Sequence, residues 1–174
     1  MKHEDYITHI KNEEDEVYLR HTHFPVNMRL FKTSLGYRTI IQQQCRYIEQ
    51  MCLTEKEGYK KPHGMSSANL GLSFNIIGIR VPKEGFKPEH CLIMINPSYI
   101  PHEEDGKCEA ESNCGSLTLK KHIKIKRWKT IEVTYYDIDG THLKALYSSN
   151  YLGKTVQHEI DHNLGILITD YKHE

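Results

Sequence analysis

No apolar run in this sequence approaches the roughly 18 residues that a membrane-spanning helix requires. The first residues, Met1 to Tyr6, are acidic and polar, and they resemble neither a signal peptide nor an arginine-rich transit peptide. Charge of one sign is also lacking, because 23 basic side chains balance 23 acidic ones. This balance argues against a generalised surface for nucleic acid or anionic lipid. Five scattered cysteines without an export signal indicate a reduced, cytoplasmic compartment.

The sequence does contain a group of metal-binding residue types near its C-terminal end, in the segment Gln157-His158-Glu159-Ile160-Asp161-His162. Residues four apart on a helix share one face, so His158 and His162 can bind one metal ion. Glu159 lies beside them and is placed to take a proton from a metal-bound water. The alternative is a solvated helix with a chance pair among the 12 histidines of the chain. The intervening glutamate and the apolar residues before the motif favour the metal site.

A catalytic metal usually has three protein ligands and one open position. Ile168 stands where one group of proteases with this motif has its third histidine. Only 12 residues follow His162, and the segment from Gly165 to Tyr171 has the pattern of a strand. The third ligand is therefore expected upstream, where the residues alone leave Cys91, Cys108 and Cys114 as alternatives.

The hydrophobic periodicity predicts an α+β fold. The chain length predicts one domain, residues 1–174, in which residues 1–20 form a polar N-terminal arm. Ser34 is expected to cap a helix from Leu35 to Leu53, and loops are expected from Glu55 to Ser67 and over residues 101–111. A second helix, Ser149 to Leu164, would carry the metal motif. Strands are predicted at Ile76–Val81, Cys91–Ile95, His122–Trp128, Thr130–Ile138 and Thr141–Tyr147. Antiparallel sheets would then pack around a central metal-binding helix.

These residues resemble the peptide deformylase family, whose members remove the formyl group from the N-terminal methionine of new polypeptides. The family has three ordered motifs: Gly-x-Gly-Leu-Ala-Ala-x-Gln, Glu-Gly-Cys-Leu-Ser and Gln-His-Glu-x-Asp-His. The third is complete at Gln157–His162, and the second corresponds to Ser112-Asn113-Cys114-Gly115-Ser116. The first corresponds to Asn69-Leu70-Gly71-Leu72-Ser73-Phe74-Asn75-Ile76. The resemblance spans about residues 20–172 and identifies the chain as a divergent member.

The resemblance implies a peptide deformylase-like fold and a site for one metal ion. Cys114 would be the third ligand beside His158 and His162. Fe²⁺ is the implied metal, for which Zn²⁺ or Ni²⁺ can substitute. Hydroxide generated at the metal would attack the formyl carbon, with Glu159 as general base and the Gly115 N–H as a donor to the oxyanion. The implied substrates are N-formylmethionyl nascent peptides at the ribosome, handled by a monomer with no direct nucleic-acid or membrane contact.

Several positions depart from the family pattern. Ile76 occupies the position of the motif-one glutamine, which donates a hydrogen bond to the oxyanion. Lys154 replaces an apolar wall of the methionine pocket, one helical turn before His158. These departures leave a second hypothesis, a deformylase-like metal-binding protein with lost or altered activity. The expected substrate pocket consists of Leu70, Gly71, Leu72, Ile76 and Lys154.

Overall fold

The computed structural model describes residue 17 and residues 19–55, 61–84, 88–112, 114, 123–148 and 151–171. Its helices are α1 (Met28–Thr33), α2 (Leu35–Leu53) and α3 (Tyr151–Asn163). Its strands are β1 (Gly64–Ser66), β2 (Ile76–Val81), β3 (His90–Pro101), β4 (Lys107–Ser112), β5 (Ile123–Trp128), β6 (Ile131–Tyr136) and β7 (His142–Tyr147). Short 3₁₀ turns occur at Ala68–Leu70, Glu103–Asp105 and Ile168–Tyr171. Among these helices, none combines the length and the apolar character that crossing a membrane requires.

Helix α2 begins and ends where the sequence predicts. The Ser34 hydroxyl accepts a hydrogen bond from the Tyr37 N–H, which satisfies one of the unpaired donors at the helix start. The apolar positions then recur every three or four residues, so they lie on one face and are buried against the sheet. Those buried positions include the four predicted from the periodicity: Ile41, Cys45, Ile48 and Cys52.

The strands form antiparallel sheets, which confirms the predicted fold class. Five strands make one sheet in the order β1-β2-β3-β6-β7, and β4 pairs with β5 in a second sheet of two strands. Strand β1 is an edge of the larger sheet, paired with β2 through Gly64↔Ile79, Met65↔Gly78 and Ser66↔Ile77. The prediction of a loop from Glu55 to Ser67 is therefore wrong for its last residues.

Strand β3 is longer than the prediction of Cys91–Ile95, because the chain continues past Asn96-Pro97 through a bulge. The register against β6 shifts between Ile95 and Ser98, and Asn96 adopts a positive φ of 51°. The Asn96 side chain accepts from the Val26 N–H at 2.7 Å and donates to the Val26 carbonyl at 2.8 Å. A proline lacks an N–H for the ladder, so a bulge is where a strand tolerates one.

Two further expectations about secondary structure are wrong. Residues 107–111 belong to strand β4 rather than to a loop, because Glu109 lies opposite Lys126 and Glu111 opposite Lys124 in the register with β5. Opposite charges across an antiparallel pair stabilise it, so a charged segment can form a strand here. The segment from Gly165 to Tyr171 is a turn followed by a 3₁₀ turn, not a strand; Gly165 has a φ of 76° and ends α3.

The predicted polar arm is wrong at its end, because Leu19 is fully buried. Leu19 packs in an apolar cluster with Ala110, Cys114, Ile125, Leu167 and Ile168. Arg20 forms an ion pair with Asp170, with its Nη1 2.9 Å from the carboxylate. The described end of the arm therefore packs against the segment that follows α3 and forms an ion pair with it.

Helix α3 packs through an apolar cluster against one face of the larger sheet. Alternate residues of β2 point to opposite faces of the sheet. Ile77 and Ile79 pack against Val156 and Ile160 of α3. Ile76 instead packs in the cluster that contains the buried face of α2. The larger sheet is thus enclosed between α2 on one face and the motif-bearing helix on the other.

Candidate metal centre

The three expected metal ligands converge at α3. Ligand atoms of Cys114, His158 and His162 all lie within 4.8 Å of one another. The Cys114 Sγ is 3.2 Å from the His162 Nε2, which is 3.2 Å from the His158 Nε2. Bond lengths of ~2.0–2.1 Å to nitrogen and ~2.3 Å to sulfur place tetrahedral ligand atoms about 3.3–3.6 Å apart. The spacing of the three atoms therefore fits a single metal ion, and it does so for Cys114 rather than Cys91 or Cys108.

Burial keeps the two histidines neutral, which is the form of the imidazole that binds metals. Burial lowers the pKa of His158 well below its usual value, and His162 adds to this effect. Burial also lowers the pKa of His162 to about 4, with further contributions from Arg127 and His23. A neutral imidazole has a free nitrogen lone pair, whereas a protonated one has none. Both side chains are thus ready to donate a lone pair at neutral pH.

Glu159 is buried, and one of its two carboxyl oxygens makes no hydrogen bond to the described residues. The residue is 4% exposed, and its Oε2 atom has no hydrogen-bond partner among the described residues. Burial raises the pKa of Glu159 to about 8, although Arg127 acts in the opposite direction. A carboxyl group with a raised pKa can accept and release a proton near neutral pH, as a general acid–base catalyst must.

Strand β1 lies directly against this glutamate. A Cβ atom on Gly64 would be 2.7 Å from both the Cγ and the Oε1 of Glu159, and 2.8 Å from the Cγ2 of Thr155. Such distances are shorter than carbon contacts allow, so an alanine at this position would force the side chains of Glu159 and Thr155 to shift. Strand β1, the terminal strand of the larger sheet among the described residues, thus lies on one side of the carboxylate.

Replacing Gly64 with alanine is expected to displace the side chain of Glu159. The kcat of a reaction in which Glu159 transfers the proton should then fall by at least about 10-fold, because small errors in the position of a catalytic group slow the reaction strongly. Gly36→Ala is the matched control, since a Cβ at Gly36 meets no atom within 4 Å. Steady-state kinetics of both variants, with metal content measured alongside, test this expectation. Equal activity in the Gly64 variant and the control would contradict the close packing.

The remaining polar residues of the motif fix the rotation of α3. The Gln157 Oε1 accepts from the Trp128 N–H, and its Nε2 donates to the Trp128 carbonyl, each at 3.0 Å. Asp161, one turn later, forms a buried ion pair with Arg127 and accepts from the Tyr171 hydroxyl at 2.9 Å. Because these two side chains bind β5 and the following turn, the two histidines must point elsewhere, toward Cys114.

The residues of the expected substrate pocket lie in different surroundings in the structure. Leu70 and Ile76 are buried in the cluster with α2, and Leu72 packs against the same cluster. Gly71, with a φ of 63°, follows the 3₁₀ turn and is exposed. Lys154 is half-buried one turn before His158, and no described acidic group pairs with it.

Gly115 lies outside the described residues, as do its neighbours Asn113 and Ser116. The expected oxyanion donor in that segment therefore stays a prediction. Within the part of the second motif that the structure describes, the thiol of Cys114 is buried and faces His162.

Sequence reasoning missed three residues that contact or extend the motif helix: Gly64, Arg127 and Asn163. Arg127 had a usable signal, because it continues the inward alternation of Ile123 and Ile125 in β5 and is 3% exposed. Asn163 directly follows the motif and is buried, with its side chain hydrogen-bonded to the segment between β1 and β2. No local pattern distinguishes Gly64 from the other loop glycines.

A histidine pair and a glutamate on one helix, with a converging thiol, are the residue set of metal-dependent hydrolases. A sequence model of the polypeptide deformylase family matches residues 24–174. The chain therefore belongs to this family.

Named relatives agree with the assignment. The peptide deformylase of Brachyspira hyodysenteriae is 32% identical over 109 residues, which cover 62% of this chain and 57% of the relative. The peptide deformylase of Enterococcus faecalis is 32% identical over 113 residues, covering 62% and 59%. The matched segments thus span less than two thirds of these relatives.

Solved structures share the fold at lower identity. The class I type b peptide deformylase of Acinetobacter baumannii superposes with a TM-score of 0.68 at 20% identity, covering 95% of this chain and 98% of that one. A probable peptide deformylase from Synechococcus phage S-SSM7 gives 0.66 at 21% identity, covering 95% and 97%. At these identities the likeness concerns the architecture of helices and sheets.

Proposed function

We propose that this protein is a metal-dependent amide hydrolase that removes the N-formyl group from the N-terminal methionine of nascent polypeptides. The observation that carries this proposal is the convergence of the Cys114 thiol and two imidazoles on the helix that carries Glu159, whose Oε2 has no hydrogen-bond partner among the described residues. Membership in the polypeptide deformylase family supports the choice of a formyl amide as the bond that is cleaved. A deformylase of Acinetobacter baumannii with the same fold has been solved with Met-Ala-Ser bound, a peptide that begins with methionine.

We assign the metal to Cys114, His158 and His162, with Fe²⁺ as the native ion and Zn²⁺ or Ni²⁺ as substitutes. One thiolate and two imidazoles are soft and borderline ligands, which suit these ions better than Mg²⁺ or Ca²⁺. When bound, such an ion lowers the pKa of a coordinated water and polarises a carbonyl oxygen. Three ligands leave the remaining coordination position for water and substrate.

Glu159 would move the proton in the reaction. Its carboxylate accepts a proton from the attacking water and returns it to the amine of methionine as the C–N bond breaks. Burial by α3 and β1 keeps bulk water away from the carboxyl group, so its pKa stays raised and the returned proton is not lost to solvent.

Strand β1 is the terminal strand of the larger sheet among the described residues, and its outer edge at Gly64 could offer main-chain hydrogen bonds to a peptide. The Arg80 N–H donates to the His63 carbonyl, and the Ser67 N–H donates to the Ile76 carbonyl. In an antiparallel pair the residues that bond the neighbouring strand alternate, so the Gly64 N–H and carbonyl point away from β2. An extended peptide could bind there as an added strand, with its first amide next to Glu159.

The test of the reaction is hydrolysis of a formyl-methionyl peptide by anaerobically prepared, iron-loaded protein. Release of formate and of the free amine would support the proposed function. A second function, metal binding with altered activity, is favoured by the half-buried Lys154 beside His158, which makes a methionine pocket less apolar. Stoichiometric metal without any formate release would favour that second function.

Replacing Cys114 with alanine is expected to reduce bound metal from one ion per chain to well under half, because one of three ligands is lost. Cys108→Ala is the matched control, since Cys108 lies in β4 at a position opposite Arg127 of β5 and outside the ligand set. Metal analysis after dialysis measures both variants. Metal retention in the Cys114 variant with loss in the Cys108 variant would overturn the assignment.

The setting of the reaction follows from its substrate. We propose that residues 1–174 act as one domain and as a monomer. The substrate is a polypeptide still near the ribosome, so we place the activity in the cytoplasm. Partners other than the nascent peptide are not required by the proposed chemistry.

A further inference from the structure

The surroundings of β1 indicate which way a peptide bound along this strand would run. A Cβ atom on Gly64 would contact Glu159, so the first amide of the peptide belongs beside Gly64. Beyond it in β1, Ser66 and the following Ser67 are completely buried, whereas His63, which precedes the strand, is exposed. A peptide with its first amide next to Glu159 would therefore extend past Gly64 toward His63, antiparallel to β1.

The first side chain of such a peptide would face α3. Gly64 pairs with Ile79, which packs in the apolar cluster that includes α3. A Cβ atom on Gly64 would also lie 2.8 Å from the Cγ2 of Thr155 in α3. Side chains directly opposite each other on antiparallel strands lie on the same face of the sheet. The peptide residue opposite Gly64 therefore turns its side chain toward the N-terminal half of α3.

This part of α3 presents polar side chains toward the peptide. A helix advances about 100° per residue. Four half-buried residues of α3 consequently lie within about 100° of one another around its axis: Tyr151, Lys154, Thr155 and His158. His158 is one of the proposed metal ligands, so the other three continue from the metal centre along the path of the peptide.

His63 faces this surface with a proton on a known nitrogen. Its ring lies against that of Tyr151, with the ring centroids 4.7 Å apart. Its Nδ1 is hydrogen-bonded to the Tyr151 hydroxyl and lies 3.3 Å from the Arg80 Nη2. Arginine can only donate, so the Nδ1 accepts and the proton of the neutral ring is on Nε2. Partial burial lowers the pKa of His63, and the charge of Arg80 adds to this effect, so the ring stays neutral.

The charges around this surface are mainly positive. Glu89 is already paired with Lys61 and Arg80, at 2.6 and 2.8 Å. Glu159 is the other carboxyl group beside the surface, and burial raises its pKa to about 8. Lys154 has no acidic partner among the described residues. An apolar side chain packed here would remove water from this ammonium group without replacing its hydrogen bonds, which is unfavourable.

We propose that the space between β1 and the start of α3 is a subsite for a carboxylate-bearing first side chain, so that formyl-glutamyl peptides are hydrolysed at least as well as formyl-methionyl ones. The subsite consists of His63, Tyr151, Thr155 and Lys154. The Lys154 ammonium group and the His63 Nε2–H would donate to the carboxylate, and charge-assisted hydrogen bonds of this kind are strong. The inference rests on the proposed deformylase function and names a further substrate class for the same site. The reaction stays the same, with water cleaving the formyl amide into formate and a free amine.

The first arm of the test compares four substrates on iron-loaded, unaltered protein: formyl-Glu-Ala-Ser, formyl-Gln-Ala-Ser, formyl-Met-Ala-Ser and formyl-Lys-Ala-Ser. The kcat/KM for the glutamyl peptide should equal or exceed that for the methionyl peptide. The lysyl peptide should be at least about 10-fold slower than the glutamyl one, because its charge is repelled by Lys154. The glutaminyl peptide, which has the same shape as the glutamyl one without its charge, should lie between them. A kcat/KM for the methionyl peptide more than threefold above that for the glutamyl peptide would overturn the subsite and leave the proposed function standing.

Variants assign the preference to the subsite. Lys154→Met should lower kcat/KM for the glutamyl peptide about 10-fold or more, since a hydrogen bond to a charged group contributes on that order. The same variant should not lower kcat/KM for the methionyl peptide, and Lys154→Arg should keep the preference for glutamate. Lys32→Met is the matched control, because Lys32 is exposed in the last turn of α1. Equal losses for both substrates in Lys154→Met would overturn its role in specificity.

The second arm does not depend on turnover. The unformylated products Glu-Ala-Ser and Met-Ala-Ser are titrated into zinc-loaded protein by calorimetry. Glu-Ala-Ser should bind more tightly to the unaltered protein, and the order should reverse in Lys154→Met. This result would support the subsite even in a protein without deformylase activity. Tighter binding of Glu-Ala-Ser that persists in Lys154→Met would mean that its carboxylate binds the metal, and would overturn the subsite.

Discussion

Replacing Glu159 with glutamine is expected to lower kcat for a formyl-methionyl peptide by at least about 10²-fold while the metal stays bound. Glutamine has nearly the same shape as glutamate, so it should keep the contact with Gly64 in β1. It cannot accept a proton, however, and general acid–base catalysis contributes on the order of 10²–10⁴-fold. Steady-state kinetics combined with metal analysis of the same preparation measure the two effects separately.

The control for this change is Glu132→Gln. Glu132 pairs with Lys144 near the β7 edge of the larger sheet, with a Nζ–Oε2 distance of 2.7 Å. Removing its charge should leave both kcat and metal content unchanged. Normal turnover in the Glu159 variant would remove this residue from the mechanism. Loss of metal in that variant would assign Glu159 to metal binding instead.

Replacing Arg127 with methionine is expected to lower the free energy of unfolding by about 3–5 kcal/mol, because it leaves the Asp161 carboxylate buried without its ionic partner. Both residues of the pair are only 3% exposed. Urea unfolding at fixed metal loading gives the value. The same change should loosen α3 against β5 and so disturb His162, which is adjacent to Asp161 in sequence.

Two further variants test whether the buried, unpaired charge of Asp161 causes this loss of unfolding free energy. In Arg127→Met/Asp161→Asn the buried charge is gone, so the double variant should be more stable than Arg127→Met alone. Lys144→Met breaks an ion pair that is 60% exposed on the lysine side, and exposed pairs contribute about 0–1 kcal/mol. If Arg127→Met and Lys144→Met lowered the unfolding free energy by comparable amounts, burial would not determine how much an ion pair contributes to stability.

Much of the fold could be predicted because its elements have strong local signals. Helix α2 has a serine cap and an unbroken apolar stripe, and both of its ends match the prediction. Strand β5 was found because polar and apolar residues alternate along it, and β6 and β7 were found because the Asp139-Gly140 turn joins them as a hairpin. Strand β4 was missed because its acidic residues lie opposite lysines of β5 in the register, and no local window of sequence contains that partner strand.

The candidate site was predictable where one helix determines the geometry and uncertain where separate segments meet. His158 and His162 follow from helical spacing, whereas Cys114 came from the family resemblance and not from the residues alone. Ile76, which was expected to line the substrate pocket, packs instead in the cluster that contains the buried face of α2.

The ligands come from two separate parts of the chain, since Cys114 follows β4 and the histidines belong to α3, 44 residues after it. A metal ion bound to all three would act as a removable cross-link that closes this long loop in the folded protein. It binds the folded state and not the unfolded chain, so a concentration 100 times its dissociation constant would add about 2.7 kcal/mol to the unfolding free energy. Metal supply in the cell would therefore set how long each copy of the protein persists, as well as whether it can react.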